Sequence, residues 1–282
     1  MKLISYYQAG RPGFGATDGN QVWHISGLDG MPDDLAAALA MPDFKQHAQA
    51  VLDGPAGPDL SSVTQRPVIP NPGKIFCVGL NYEAHRVETG RPETKYPTLF
   101  TRFANTLVAE GAPLVCPRLS EKFDYEGELA VIVGKTGRHI AKEDALSHVA
   151  GYSCFNDGSV RDFQRHSSQF TPGKNFDRTG AFGPWLVTAD EIPDPSALTL
   201  ETRLNGELLQ ESGLDDLIFD VPTLIAYISG FATLEAGDVI ATGTPGGVGF
   251  VRKPPLYMKD GDSVAVTISQ IGTLTNPVVA EA

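Results

Sequence analysis

Phe123-Asp124-Tyr125-Glu126-Gly127-Glu128-Leu129-Ala130-Val131-Ile132-Val133-Gly134 joins a cluster of acids to an unbroken apolar, β-branched tail. The tail reads as a strand, and residues i and i+2 of a strand point to the same face. Glu126 and Glu128 therefore project together, with Asp124 able to join them. Carboxylates side by side repel, and the penalty grows as they are buried. A strand that turns apolar right after them makes the pair costly unless a cation compensates. A solvated sheet edge, where paired acids discourage aggregation, fits this segment alone equally well.

A third acid shifts the balance. Ala150-Gly151-Tyr152-Ser153-Cys154-Phe155-Asn156-Asp157 is another apolar strand, with Asp157 at its end. Two Glu and one Asp form an all-oxygen set suited to Mg²⁺, or Mn²⁺ as a substitute, with octahedral positions left open. No cysteine or histidine cluster offers a tetrahedral zinc site. Three carboxylates and a divalent cation sum to −1, so an anionic chelating substrate needs further cations. Lys174, in Gly173-Lys174-Asn175-Phe176-Asp177, and Arg102, closing the apolar run 96–103, are candidates. Taken singly, each is an ordinary surface charge.

Working outward, the chain is dense in short strands separated by turns. KIFCVGL, PTLFTRF, GELAVIVG, HVAGYSCFND, AFGPWLVT, LTLETRLNG, DVIATG and SVAVTIS all read so. VPTLIAYISGFATL, near the C-terminal end, has helical spacing. Long amphipathic helices are too few for parallel βαβ alternation, which leaves a mixed β-roll or sandwich. Residues 1–70 differ. MKLISYYQ and QVWHISGL read as strands separated by Gly-rich turns, DDLAAALAMPDFKQHAQAVL is helical but interrupted by Pro42, and Val68–Gly73 signals a linker. The expected fold is α+β, mainly β, with a small N-terminal α+β domain over 1–70 and a catalytic domain over 71–282.

Composition narrows the partners. With 282 residues, 41% hydrophobic and 20% charged, the chain suffices for one sizeable core plus an accessory domain. A net charge of −12 argues against nucleic acid. No window approaches the roughly 18 apolar residues of a membrane span, and MKLISYYQAGRPGFG lacks the apolar core of a signal peptide. Three cysteines without a CxxC pair argue against a disulfide framework, which points to a reducing, cytoplasmic compartment.

The motifs CVGLNYEAH, DYEGELAVIVGK, HVAGYSCFND, GKNFD, GAFGPWLVTADEI, LNGE and GDVIATGTPGGVG, in this order, resemble the catalytic domain of the fumarylacetoacetate hydrolase family over about residues 74–275. The resemblance implies a mixed β-roll core, usually dimeric. It implies Mg²⁺ or Mn²⁺ held by the acids matching Glu126, Glu128 and Asp157, and substrate contacts from Lys174, Gln164 and Thr244. His85 and Glu88 are three apart, and from spacing alone they are a solvated helical turn. The family places a His–Glu pair here on a mobile lid, where it activates water. The GRPETKYP stretch after it has the Gly and Pro content of a hinge. Thr242-Gly243-Thr244-Pro245-Gly246-Gly247-Val248-Gly249 lacks the Gly-Lys-Ser/Thr ending of a phosphate loop and reads as a turn approaching a substrate carboxylate. Gly127 departs from a common β-branched residue, Asp157–Asp162 from a small-polar run, and Arg102 from a frequent lysine. Arg102 offers substrate a bidentate fork rather than a point charge.

The expected activity is metal-dependent hydrolysis of the C3–C4 bond of a 2,4-diketo acid, yielding pyruvate and a second acid. His85 and Glu88 take a proton from water, and Lys174 stabilises developing oxyanion charge. Candidate substrates are 2,4-diketo-3-deoxy-L-rhamnonate or -fuconate. The enzyme alternative is decarboxylation or isomerisation of a related keto acid, such as oxaloacetate or a homoprotocatechuate-pathway dioate. A metal-dependent binding protein without turnover is the other alternative. The His85–Glu88 pair argues against it, since binding needs no base.

Overall fold

Gly127–Val133 is a strand in which every residue is buried. Leu129, Val131 and Val133 join one hydrophobic cluster, while Ala130 and Ile132 join another on the opposite face. A strand covered on both sides needs no polar alternation, which accounts for its continuous apolar run. It pairs antiparallel with Val149–Asn156 on one side and with Val239–Ala241 on the other.

These strands lie in the middle of a large mixed sheet in the computed structural model, which describes residues 1–55 and 57–282. Beyond Val239–Ala241 the sheet continues through Ile75–Gly79, which runs parallel to it, to Thr98–Thr101. In the other direction it continues through Gly180–Thr188 to Lys2–Gln8, Arg11–Thr17 and Val22–His24. A second sheet, ordered Glu207–Gly213, Thr199–Leu204, Ser263–Ile268, Gly272–Ala280 and Leu114–Cys116, packs across its centre. Leu200, Val264, Val266 and Leu274 meet Leu129, Val131 and Cys154 there. The mainly β, mixed architecture agrees with the expectation from sequence.

Residues 1–70 attach to this core by backbone hydrogen bonding. Lys2 and Leu3 pair with Val187 and Leu186, so the N-terminal strands extend the large sheet. Two short helices, Leu35–Leu39 and Phe44–Leu52, flank Pro42, and Leu35, Phe44 and Ala48 pack in one cluster with Ile132, Phe155 and Phe182. Asp34 caps the first helix by accepting from the backbone N–H of Ala37 at 2.8 Å. Val221–Phe231 forms the expected long helix, capped by Asp220 on Thr223 N–H at 2.8 Å, with a proline in its first turn. Among the described residues, no helix is long and apolar enough to cross a membrane.

Candidate metal and substrate site

The acids are gathered where two central strands end. Asp157 follows Val149–Asn156 directly, and its backbone N–H donates to the carbonyl of Glu126 at 2.8 Å. That pairing draws the residue just after one strand against the residue just before its neighbour, Gly127–Val133. Glu126, Glu128 and Asp157 each present a carboxylate oxygen, all within 4.8 Å of one another. All three side chains are buried.

Three cations meet these acids. Lys174 Nζ is 2.6 Å from Glu126 Oε2 and 2.6 Å from Asp157 Oδ2. Arg102 Nη1 is 2.6 Å from Asp157 Oδ1. Arg161 donates from Nε to Asp124 Oδ2 at 2.8 Å, and its Nη1 lies 2.6 Å from Glu126 Oε1. Burial raises the Glu126 carboxyl pKa, but the Lys174 and Arg161 charges outweigh it and hold the group below the ordinary range. For Lys174 burial lowers the pKa, and Asp157 and Glu126 more than restore it, so the ammonium stays charged.

Glu128 is different. Among the described residues it makes no ion pair, and its one hydrogen bond is from the Gly243 N–H to Oε2 at 2.9 Å. Burial, together with Asp157 and Glu126, pushes its pKa well above the carboxylate range. Were all four buried acids ionised, Asp124 included, the three buried cations would leave the cluster one positive charge short. A divalent cation beside Glu128 would supply it, and three oxygen donors this close suit one hard ion. The donor set therefore fits a metal of the Mg²⁺ or Mn²⁺ kind.

A cavity of about 670 Å³ opens over the cluster. His85, Glu126, Glu128, Gln164, Lys174 and Thr244 line it, six of the nine residues expected at the site. Glu88 stands behind His85 on the short helix Glu83–Glu88. Its Oε1 is 2.7 Å from His85 Nδ1, and its Oε2 accepts from Gly247 N–H at 2.9 Å. Both carboxylate oxygens are thus engaged, and the contact assigns Nδ1 a proton. His85 Nε2 has no hydrogen-bond partner among the described residues. The solvated-turn alternative does not describe His85, which is only 5% exposed.

Arg102 takes a different place from the one expected. Its guanidinium does not line the cavity but sits behind Asp157, donating also to Gly158 O, Thr179 Oγ1 and Thr106 Oγ1. The fork expected for substrate is directed at a carboxylate of the acid cluster instead. Gly127 is explained by its surroundings, since a Cβ there would come within 2.1 Å of Thr202 Oγ1.

Sequence reasoning singled out neither Arg161 nor Arg165 as a site residue, yet both line the cavity. Arg161 lies in a single helical turn, Arg161–Gln164, and stacks over Phe250, as Arg165 does. Its Nη2 is buried without a partner among the described residues. A guanidinium three residues before Gln164 on one turn was the available signal. Arg91, in the segment after the His85 helix, adds a third arginine to the wall.

Known proteins bear on this arrangement. A family described as "Fumarylacetoacetate (FAA) hydrolase C-terminal" matches residues 74–279. An oxaloacetate tautomerase of Xenopus laevis, described as mitochondrial, is 38% identical over 288 residues, covering 99% of this chain and 90% of the relative. A fumarylacetoacetate hydrolase from psychrophilic Exiguobacterium antarcticum superposes with a TM-score of 0.87 at 39% identity, covering 100% of both chains. A maleylpyruvate hydrolase from Sphingobium sp. SYK-6, solved with manganese (II) ion and pyruvate, does so with a TM-score of 0.84 at 30% identity, again over 100% of both. The acid trio and the manganese of that neighbour both point to a divalent metal. With its motifs, fold and acid cluster in agreement, the chain belongs to the fumarylacetoacetate hydrolase family.

Proposed function

We propose that this chain is a divalent-metal-dependent enzyme that moves a proton at the carbon next to the keto group of a small 2-keto dicarboxylate, as in oxaloacetate tautomerisation. One observation carries the choice of substrate class. Arg161, which lines the cavity together with Arg165 and Arg91, carries a buried N–H group without a partner among the described residues. An orphaned guanidinium donor is costly unless a ligand uses it, and carboxylates match its geometry. The cavity thus has positive charge beyond what the acid cluster consumes, and a second carboxylate suits it better than a neutral sugar remainder. The name of the Xenopus laevis relative supports the same reading. It displaces hydrolysis of a 2,4-diketo acid as the first choice and promotes the isomerase alternative.

Glu126, Glu128 and Asp157 would hold the metal, which supplies charge balance to the acids and polarisation to the 2-keto group. In the neutral ring the Glu88 contact at Nδ1 leaves the lone pair on His85 Nε2, which takes a proton from C3. The C3–H electron pair becomes the C2–C3 double bond, the carbonyl pair moves to the C2 oxygen, and that oxygen takes a proton from water to give the enol, while His85 returns its proton to solvent. Lys174 holds positive charge beside that oxygen. Thr244 and Gln164 bind carboxylate and keep the substrate in register, and the segment carrying Arg91 excludes water.

The test follows enol–keto exchange of oxaloacetate by ultraviolet absorbance with Mg²⁺ or Mn²⁺, beside pyruvate release from an acylpyruvate and from a hydroxylated 2,4-diketo acid. The proposal expects oxaloacetate exchange to have the highest kcat/KM. Rapid pyruvate release from a diketo acid without accelerated oxaloacetate exchange returns the hydrolase, in which His85 activates water instead.

A further inference from the structure

We propose that Gln210 fixes the direction of the Thr244 hydroxyl, so that Thr244 meets the carboxylate of a bound 2-keto acid as a hydrogen-bond donor. The inference rests on the keto-acid reading above and assigns a role to a residue outside the cavity wall. Gln210 lies on the strand Glu207–Gly213 of the smaller sheet and is 1% exposed. Its side chain reaches between the start of the strand bearing Glu128 and the turn bearing Thr244.

Both ends of its amide are set by partners with only one possible role. The Gly127 backbone N–H can only donate, and it lies 3.0 Å from Oε1. The Pro245 carbonyl can only accept, and it lies 3.0 Å from Nε2. The amide therefore cannot be reversed without two repulsive contacts. Its second N–H then points at Thr244 Oγ1, 2.9 Å away. A hydroxyl that accepts there still has one proton to give. No acceptor for that proton exists among the described residues, and Thr244 lines the cavity. The proton is left for a ligand, and a carboxylate oxygen is the acceptor that a keto acid offers.

Gly127 sits between Glu126 and Glu128, so one buried side chain ties the metal-ligand backbone to the substrate hydroxyl. Gln210 is thus a positioning residue. Were it an acceptor instead, Thr244 would turn its proton inward and present lone pairs to an anion.

Gln210→Glu makes that change with little alteration of size. Its carboxylate still accepts from Gly127 N–H, but its other oxygen captures the Thr244 proton. The probe is oxalate, titrated calorimetrically into the full-length chain loaded with Mn²⁺. Gln210→Glu should weaken oxalate binding by roughly tenfold or more, the scale of a hydrogen bond to a charged group. Because the new charge also repels oxalate, the deciding quantity is the difference between backgrounds. The cost should be several-fold smaller in a chain already carrying Thr244→Val, while Mn²⁺ affinity stays within about threefold. Gln210→Met, uncharged and of similar length, should show a smaller loss with the same dependence on Thr244, and it serves if the glutamate variant folds poorly. Equal costs with and without Thr244 would overturn the role of Gln210 while leaving the keto-acid site standing. A wild-type chain that binds Mn²⁺ but not oxalate would overturn that site, and this proposal with it.

Discussion

Arg102 Nη1 lies 2.6 Å from Asp157 Oδ1, and neither side chain has any exposed surface. An ion pair this dry is held by its own geometry, and removing one partner strands the other charge. Arg102→Ala should therefore cost about 3–5 kcal/mol of stability. Arg102→Lys keeps the charge but loses the contacts to Gly158 and Thr179, and should weaken Mn²⁺ binding by roughly 10–100-fold, the usual effect of disturbing a ligand's own partner. Thermal melts and Mn²⁺ titration check both. Unchanged melting and metal affinity with a raised KM would place Arg102 at the substrate after all.

The two glutamates should respond in opposite ways to loss of charge. Glu126 is gripped by Lys174 and Arg161, so Glu126→Gln leaves two buried cations undercompensated and should lower the melting temperature of the metal-free protein. Glu128 has no ion pair, so Glu128→Gln removes a buried, uncompensated acid and should leave the metal-free protein as stable or more so. Each variant should bind Mg²⁺ at least tenfold more weakly. Identical melting shifts in the two would show that the cluster is not organised as described.

His85→Ala and Glu88→Ala should each lower kcat by roughly 10²–10⁴, the range for a positioned base, with small changes in ligand binding. The double variant should cost little more than either alone, because the carboxylate acts only through the ring. Steady-state rates of enol–keto exchange measure this. Near wild-type kcat in both single variants would move the base elsewhere.

The acids were legible because an i, i+2 pair beside an apolar run has few outcomes, and the strands because their periodicity is local. The Arg102–Asp157 pair was not legible for a physical reason: sequence shows that a guanidinium ends a strand but not which carboxylate lies across from it 55 positions later. Arg161 and Gln210 were missed in the same way, since their partners come from distant strands and from backbone groups. Arg11–Thr17 has the composition of a Gly-rich turn but is a strand. Gly15 is there because a Cβ would meet the Trp23 carbonyl at 2.2 Å, a contact made by the third strand of the hairpin and invisible in local composition. The loop residues 90–97 carry no such pattern, yet Tyr96 stacks on Tyr227 of the long helix, a relation only the fold supplies.

Recognition of a second carboxylate is best tested at Arg165, because Arg161 also pairs with Asp124 and Glu126 and its loss confounds binding with folding. Arg165 is exposed at the cavity wall and rests on the Phe250 ring. An exposed charge of this kind contributes at most about 1 kcal/mol, which is roughly fivefold in binding. Arg165→Gln should therefore raise KM for oxaloacetate about three- to fivefold and leave kcat nearly unchanged. Inhibition by pyruvate, which lacks the second carboxylate, should not change. Because the interaction is solvent-screened, added salt should raise the wild-type KM and flatten its difference from the variant. A variant that weakens pyruvate and oxaloacetate alike would mean that Arg165 attracts anions in general. Arg161 and Arg91 would then be the residues left to recognise a second carboxylate.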